Sequence, residues 1–316
     1  MNRKLRIGTR GSLLALTQSE LISAGLKARY AGLSITVVKI TTSGDKVTNA
    51  PLAKIGGKGL FIKEIEEALL AGQVDLAVHS MKDVPTDVAP GLTIAAVTER
   101  ETPYDVLISR QGETLDALPK GAQVGTSSLR RQAQLLHYRP DLTVVPLRGN
   151  VDTRLRKLIN EGLDAIVVAG AGISRLGLQD QIAQVLPPEI SLPAIGQGAL
   201  GLEIRREDHT THALVEPLNH RPTQLAVTAE RAFLKRLGGG CQVPIAAYGH
   251  LHNGRLHLMG LVVWPDGTGV VRGEITGRVE EAETLGTALA EDLLSQGADR
   301  ILEELKQVVL RPPAAP

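Results

Sequence analysis

Short runs of aliphatic and β-branched residues alternate with longer amphipathic segments along the first two thirds of the chain. This alternation is typical of a βα sheet with crossover helices. In the first hundred residues the pattern predicts strands over residues 5–8, 35–41 and 76–79, and helices over residues 12–30 and 59–71. Residues 43–58 have no clear period and contain several Gly and Lys residues, so they form either a lid or binding loop or an ordinary surface loop.

A second βα series follows a hinge at residues 99–103. Its helices are predicted to begin at about Ser128 and Val151, and its strands cover residues 106–109, 123–125, 142–145 and 165–169. A strand pattern over residues 198–205 comes after a proline-rich segment, and we assign that strand to the first domain.

The last hundred residues have a different pattern. One helix ends at Arg236, and three strand patterns follow, joined by the hairpin signals Asn253-Gly254 and Pro265-Asp266-Gly267. A final helix is predicted over residues 280–309. We therefore expect an α/β protein of three domains, the third a small α+β domain with a three-stranded antiparallel sheet. The predicted domains are residues 1–98 with 194–216, residues 104–193, and residues 221–316.

The amino-acid composition argues against nucleic-acid binding and against a membrane protein. The 35 Lys and Arg residues nearly balance the 34 Asp and Glu residues, and aromatic residues make up 2% of the 316 positions. The chain therefore lacks the charge and the stacking surfaces that nucleic-acid binding needs. No apolar run approaches the roughly 18 residues of a membrane span, and the basic N-terminus has no apolar core of a signal peptide. We expect a cytoplasmic monomer without nucleic-acid or membrane partners.

No metal site is expected from the sequence. His250, His252 and His257 lie on the predicted hairpin, but no carboxylate or thiolate accompanies them at a recognisable ligand spacing. Cys241 is the only cysteine, so it forms no internal disulfide and is either an inert small apolar residue or a nucleophile.

Arginine stands at three junctions where a predicted strand turns into a helix. Helix N-termini offer unpaired N–H groups, and arginine adds a bidentate fork for carboxylate or phosphate. Because ligands of open α/β sheets collect at the carboxyl ends of strands, the recurrence indicates a polyanion site. Alternatively, the Ser and Asn residues are plain N-caps and the arginines are solvated. The junctions are Arg10-Gly11-Ser12, Thr126-Ser127-Ser128-Leu129-Arg130-Arg131, and Arg148-Gly149-Asn150 with Arg154.

Two further segments could carry chemistry. Lys82 and Asp83 follow an apolar strand, so they should lie at the same sheet edge as Arg10, where a carboxylate could act as an acid or base or stabilise a cation. A surface ion pair is the alternative. Cys241 follows three glycines, which would leave room for a bulky covalent group, although the same glycines could end a helix before a buried cysteine.

Seven segments, in this order and spacing, resemble the hydroxymethylbilane synthase (porphobilinogen deaminase) family. They cover the chain from Arg10 to Pro244, and they are TRGSLLAL, PLAKIGGKGLF, VHSMKDVP, VGTSSLRRQ, LRGNVDTRL, LPAIGQGALG and GGCQVP. The resemblance implies two lobes like those of periplasmic binding proteins, with a cleft between them, and a third domain. It also implies a transferase that joins four porphobilinogen molecules, with release of ammonia, into hydroxymethylbilane on a dipyrromethane cofactor.

The resemblance further implies roles for individual residues. Cys241 would carry the dipyrromethane through a thioether, and Asp83 would be the catalytic carboxylate that stabilises cationic pyrroles. Residues implied to contact the cofactor are Lys82, Asp83, Thr126, Ser127, Ser128, Arg130, Arg131, Arg154 and Gly172. Those implied to contact the substrate are Arg10, Ser12, Arg148, Gly149, Arg154, Arg175 and Gln197. Lys54, Lys58 and Phe61 would belong to a lid.

Two other functions stay open on the residues alone. A two-lobed binding protein for polyanions would share the fold and carry no covalent group. A cysteine hydrolase would need a histidine within reach of Cys241, and His250 is the nearest downstream in sequence. Two positions depart from the family pattern, Thr17 where many members have tryptophan and Gly238 where an acidic residue is common.

Overall fold

The computed structural model describes residues 4–46, 59, 61–239 and 243–310. This part of the chain contains two five-stranded sheets and one three-stranded sheet, each with its own buried apolar core. The three sheets confirm the predicted α/β class with a small antiparallel third sheet. The residue boundaries of the domains stay a prediction.

The first sheet has the strand order β2-β1-β3-β10-β4. Strands β1, β2 and β3 are parallel, whereas β10 runs antiparallel between β3 and β4. Leu5, Ile7 and Leu202 lie in the core on one face. Parallel strands place their carboxyl ends at one sheet edge, which is where the first junction arginine follows β1. The strands are β1 (Lys4–Thr9), β2 (Ser34–Lys39), β3 (Leu76–Ser80), β4 (Leu92–Val97) and β10 (Leu200–Arg205).

The second sheet repeats this plan with the order β7-β6-β8-β5-β9. Strands β6, β7 and β8 are parallel, and β5 is antiparallel to both of its neighbours. In each sheet the antiparallel strand lies next to the linkers that connect the two lobes. The strands are β5 (Asp105–Ser109), β6 (Gln123–Gly125), β7 (Thr143–Val145), β8 (Ala165–Ala169) and β9 (Gln184–Val185).

Helices cover both sheets. Ser12 caps α1, because its hydroxyl accepts a hydrogen bond from the backbone N–H of Ala15, and Ser128 caps α4 through the N–H of Arg131. The helices of the two lobes are α1 (Leu13–Arg29), α2 (Ser43–Lys46), α3 (Lys63–Leu70), α4 (Leu129–Tyr138), α5 (Val151–Asn160), α6 (Gly170–Arg175) and α7 (His209–Val215).

The third unit packs helices on one face of an antiparallel sheet. Its sheet has the order β11-β12-β13, and the side chain of Phe233 fills the core beside Gly260, where an added Cβ would lie 2.7 Å from the ring. Asn253 and Gly254 both have positive φ, as the predicted hairpin turn requires. The elements are α8 (Arg221–Arg236), β11 (Ile245–His252), β12 (Arg255–Val263), β13 (Val270–Arg278), α9 (Ala282–Leu293) and α10 (Asp299–Leu310).

The structure differs from the sequence predictions at five places. Ser43–Lys46 forms one helical turn rather than loop, and α3 begins at Lys63 instead of residue 59. The predicted C-terminal helix is broken near Gly297, whose φ of 104° does not occur in a right-handed helix. The edge strands β4 and β9 were not predicted, because their short runs lack a clear period.

Candidate functional site

A cleft of about 850 Å³ opens between the two lobes. It is bounded by the segments that follow β1 and β3 in the first lobe, and by the segments around the N-termini of α5 and α6 in the second. Most of the residues predicted for the site line it together: Arg10, Ser12, Phe61, Lys82, Asp83, Ser127, Arg131, Arg148, Gly149, Arg154, Gly172 and Arg175.

On the first-lobe side, Arg10 follows β1 directly and its guanidinium is held from two directions. Its Nε donates to Asp45 Oδ1 at 3.1 Å, and its plane lies 4.2 Å from the centre of the Phe61 ring. Asp45 belongs to α2, the helical turn that begins the predicted lid loop. Arg10 is therefore fixed toward the cleft by residues on both sides of that loop.

Lys82 and Asp83 lie in a short 3₁₀ turn, Met81–Asp83, that continues β3 into the cleft. Burial, followed by repulsion from Arg131, lowers the pKa of Lys82 to about 8. Its Nζ lies 3.4 Å from Gln197 Oε1. The carboxylate of Asp83 makes no hydrogen bond and no ion pair within 4 Å with another described residue, so it is available to a ligand.

On the second-lobe side, the N-terminus of α5 faces the cleft. Gly149 has a φ of 115°, and an added Cβ would lie 2.6 Å from Thr153, so this tight entry into the helix requires glycine. Arg154 donates from Nε to the Gly149 carbonyl at 2.8 Å, which leaves its two terminal nitrogens for a ligand. Burial, and then repulsion from Arg131, lowers the pKa of Arg154 to about 10.

Arg130 and Arg131 share one buried counter-ion, Asp105 on β5. Arg130 Nη1 donates to Asp105 Oδ2 at 2.8 Å, and Arg131 Nη2 donates to Oδ1 at 2.7 Å. Burial alone would raise the pKa of Asp105, but the two guanidiniums outweigh it and hold that pKa far below its ordinary value. Ser191 and Gln197 donate to the same carboxylate, so this cluster joins β5, α4 and the linker before β10.

Four of the predicted site residues do not line the cleft. Arg130 is directed to Asp105 and to the Leu192 carbonyl, and Gln197 bridges Lys82 to Asp105. Ser128 caps α4, and the Thr126 hydroxyl accepts the Ser128 N–H. Each of these residues makes a hydrogen bond within the protein, and its predicted contact with a ligand stays a prediction.

Three other predicted site residues, Lys54, Lys58 and Cys241, lie outside the residues that the structure describes, as does most of the predicted lid loop. Their assigned roles therefore stay predictions.

Sequence reasoning missed several residues of the cleft wall. Lys157 lies one turn after Arg154 on the same face of α5, and Gln18 follows Ser12 on the inner face of α1. Helical periodicity counted from Arg154 would have found Lys157, three residues later, whereas Gln18 lies six residues after Ser12 and has no such spacing. No signal marks Asp45, which lies in a segment without a period, or Asp105, which reads as the polar start of an apolar strand.

The charge of the cleft points to a ligand with several carboxylates. Its described lining contains seven cationic side chains, those of Arg10, Lys82, Arg131, Arg148, Arg154, Lys157 and Arg175, against the carboxylates of Asp45 and Asp83. Among the described residues, Arg148 donates no hydrogen bond, and Arg154 donates only from Nε to the Gly149 carbonyl, although both side chains line the cleft. Open guanidinium donors match carboxylate ligands, and the unpaired Asp83 matches a positive charge between them.

Two α/β lobes around a cation-rich cleft, in which the Asp83 carboxylate has no partner among the described residues, define a protein suited to binding small polyanions. Residues 5–213 match the family model described as "porphobilinogen deaminase, dipyromethane cofactor binding domain", and residues 224–295 match its C-terminal domain. The porphobilinogen deaminase of Geobacter metallireducens is 55% identical over 96% of both chains. That of Pelotomaculum thermopropionicum is 53% identical over 97% of this chain and 98% of its own. The chain belongs to the porphobilinogen deaminase family.

Solved structures with similar backbones include binding proteins of low sequence identity. The methionine binding protein MetQ is 16% identical, with a TM-score of 0.43 over 68% of this chain and 88% of its own. The aliphatic sulphonate binding protein SsuA of Escherichia coli is 16% identical, with a TM-score of 0.40 over 99% of this chain and 80% of its own.

Two features are absent from the described residues. No helix there is long and apolar enough to cross a membrane. No three His, Cys, Asp or Glu side chains of that part of the chain come together as a metal site.

Proposed function

We propose that this chain is a hydroxymethylbilane synthase, a transferase that joins four porphobilinogen molecules, with loss of ammonia, on a dipyrromethane primer held through Cys241. The observation that carries the proposal is the position of Asp83, a free carboxylate among seven cationic side chains, inside the domain that matches the family's cofactor-binding model. We further propose that the protein works as a cytoplasmic monomer.

The residues of the cleft fit a primer that carries acetate and propionate groups. Arg154, whose two terminal nitrogens bond to no other described residue, would hold side-chain carboxylates of the primer together with Arg131, Lys82 and Ser127, which also line the cleft. Arg10 and Arg148 would receive the carboxylates of incoming porphobilinogen. This division is supported by position, since Arg131 and Arg154 lie deeper in the second lobe and Arg10 lies beside the lid segment.

Asp83 is the group that acts on the reacting atoms. Arg131, Arg154 and Lys82 would hold the primer, which would supply the pyrrole carbon that replaces ammonia on the substrate methylene and then loses its proton. Positive charge would develop on pyrrole nitrogen both as ammonia leaves and as the new bond forms. The Asp83 carboxylate stabilises that charge and accepts the released proton on a carboxylate oxygen, while the arginines keep the rings at reacting distance.

Arg130 is assigned a different role from the one that the resemblance implies. Arg130 is 6% exposed, and its Nη1 donates hydrogen bonds to Asp105 and to the Leu192 carbonyl. We propose that Arg130 keeps Asp105 in place and that Asp105 in turn orients Arg131 toward the primer. Replacement of Arg130 would then prevent primer binding indirectly, because Arg131 would lose its orientation.

The test is Asp83→Asn, which keeps the shape of the side chain and removes its charge. We expect the variant to fold and to carry the primer but to lose most of its porphobilinogen turnover. Asp87→Asn is the matched control, because Asp87 lies four residues later in the same segment and pairs with Lys235 on the surface. Near-native turnover by Asp83→Asn would overturn the assignment.

A further inference from the structure

A single arginine of the third unit holds the segment that follows Asp83. Arg231, on α8, donates from Nη1 to the carbonyl of Val84 at 3.0 Å, and from Nη2 to the carbonyls of Pro85 and Thr86, the latter at 3.1 Å. One guanidinium thus binds three consecutive backbone carbonyls immediately downstream of the free carboxylate. The proposed function assigns no role to Arg231.

The backbone from Val84 to Thr86 has few other hydrogen bonds to fix it, although the side chain of Val84 packs in a buried apolar cluster with Met81 and Val227. It lies between the 3₁₀ turn and β4 without regular secondary structure, and Pro85 has no N–H to donate. Val84 N–H bonds to the Met81 carbonyl. Arg231 holds the carbonyls of Val84, Pro85 and Thr86. Burial lowers the pKa of Arg231, and the nearby negative charge of Asp87 partly opposes that shift.

Helix α8 is itself anchored where the three units meet. Glu230, the residue before Arg231, is fully buried and accepts the backbone N–H groups of Gly196 at 2.6 Å and Gly249 at 2.8 Å. It also pairs with Arg100 of the hinge. The helix is therefore fixed to the linker and to β11, and a side chain projecting from it at Arg231 provides a firm support for the neighbouring segment.

We propose that Arg231 is a positioning residue for the reaction, which fixes the Asp83 carboxylate relative to the third unit by holding the backbone from Val84 to Thr86. The same helix ends at Arg236, five residues before Cys241 in sequence. One helix thus carries both the support of the reacting carboxylate and the chain that leads to the attachment cysteine. This inference rests on the proposed function.

The experiment measures kcat and KM for porphobilinogen with the full-length protein, together with primer loading by intact mass. The variant is Arg231→Ala, and Lys235→Ala is the matched control. Lys235 lies one turn later on α8 and pairs with Asp87 of the same segment, but both side chains are about two-thirds exposed. Because a displacement of about 1 Å at a reacting group costs about 100-fold in rate, we expect Arg231→Ala to lose kcat on that scale. KM and primer loading should stay within about twofold, and Lys235→Ala should match the wild type.

Rescue distinguishes positioning from general stability. Arg231→Lys should recover part of kcat, because one ammonium can reach some of the three carbonyls, and low concentrations of guanidinium ion should raise kcat of Arg231→Ala but not of Lys235→Ala. If Arg231→Ala does not fold, Arg231→Lys and Arg231→Gln supply the same comparison.

Three results would overturn the inference. They are a kcat for Arg231→Ala equal to that of Lys235→Ala, loss of primer from Arg231→Ala, and a loss of thermal stability with kcat unchanged. A wild-type protein without porphobilinogen turnover would instead overturn the proposed function. The two failures are therefore separable.

Discussion

Replacing Asp105 with asparagine tests whether the buried charge cluster behind the cleft is what holds Arg131 in place. The Asp105 carboxylate is fully buried and accepts from Arg130, Arg131, Ser191 and Gln197 at 2.7 to 2.9 Å. Asparagine keeps the shape but leaves two guanidiniums, each less than a tenth exposed, without a counter-charge. Breaking a buried pair in this way costs about 3–5 kcal/mol.

That cost is large relative to the roughly 5–15 kcal/mol that separates folded from unfolded domains. At about 2–4 °C per kcal/mol for chains of moderate size, the melting temperature should fall by roughly 6–20 °C. The assay is thermal and urea denaturation of the full-length chain, with Asp141→Asn as control. Asp141 pairs with Arg139 in the same lobe, but both side chains are partly exposed to water, so its replacement should change the transition less.

The dependence on pH provides a second check. Because the folded-state pKa of Asp105 lies far below its ordinary value of 3.8, its contribution is complete above about pH 4 and declines as the pH falls below that value. The stability gap between wild type and Asp105→Asn should therefore be constant from pH 5 to 8 and narrow in stronger acid. If the unfolding free energies of the variant and the wild type differed by less than about 1 kcal/mol at neutral pH, the reasoning would be refuted. So small a difference lies well below the cost of an unpaired buried charge.

Two other predictions concern the cleft itself. Since the pKa of Lys82 is about 8, kcat/KM should fall as the pH rises through that value. Lys82→Arg should remove the decline, because arginine stays protonated. The same alkaline decline in both proteins would contradict this prediction. Gly149→Ala should cost about 1–3 kcal/mol and reduce kcat/KM, since φ is 115° and the new Cβ would meet Thr153. Gly162→Ala is its control, because Gly162 also has a positive φ but an added Cβ would meet no atom within 4 Å. An equal loss of unfolding free energy in the two variants would argue against the clash.

The sequence predicts most of the fold because local signals agree with the tertiary structure there. Ser12 and Ser128 begin helices as capping residues should, β6 and β8 have the predicted bounds, and Asn253-Gly254 forms its hairpin turn. The break near Gly297 was missed, since an isolated glycine within a helical pattern is usually tolerated.

The sequence located the segments that form the candidate site more accurately than the individual side chains that line it. Arg130 and Arg131 are adjacent in sequence and both bind Asp105, but only Arg131 also lines the cleft, which is decided by how α4 packs. Contacts between distant segments have no local signature. The single carboxylate that serves both guanidiniums, and the reach of Arg231 across to Pro85, both depend on how the units pack and could not be read from the chain.

The proposed attachment of the primer at Cys241 is open to the most direct measurement. Intact-mass analysis of the purified protein should give a mass above that of the sequence by two linked pyrrole units, and peptide mapping should place the excess on the segment that contains Cys241. Incubation with porphobilinogen should then add further pyrrole increments, and Cys241→Ser should remove both the excess mass and normal turnover, since a hydroxyl is a much weaker nucleophile than a thiolate. A polyanion-binding protein would show the unmodified mass, and a cysteine hydrolase at most a transient acyl group. An unmodified Cys241 in protein that nevertheless turns over porphobilinogen would contradict the account at its centre.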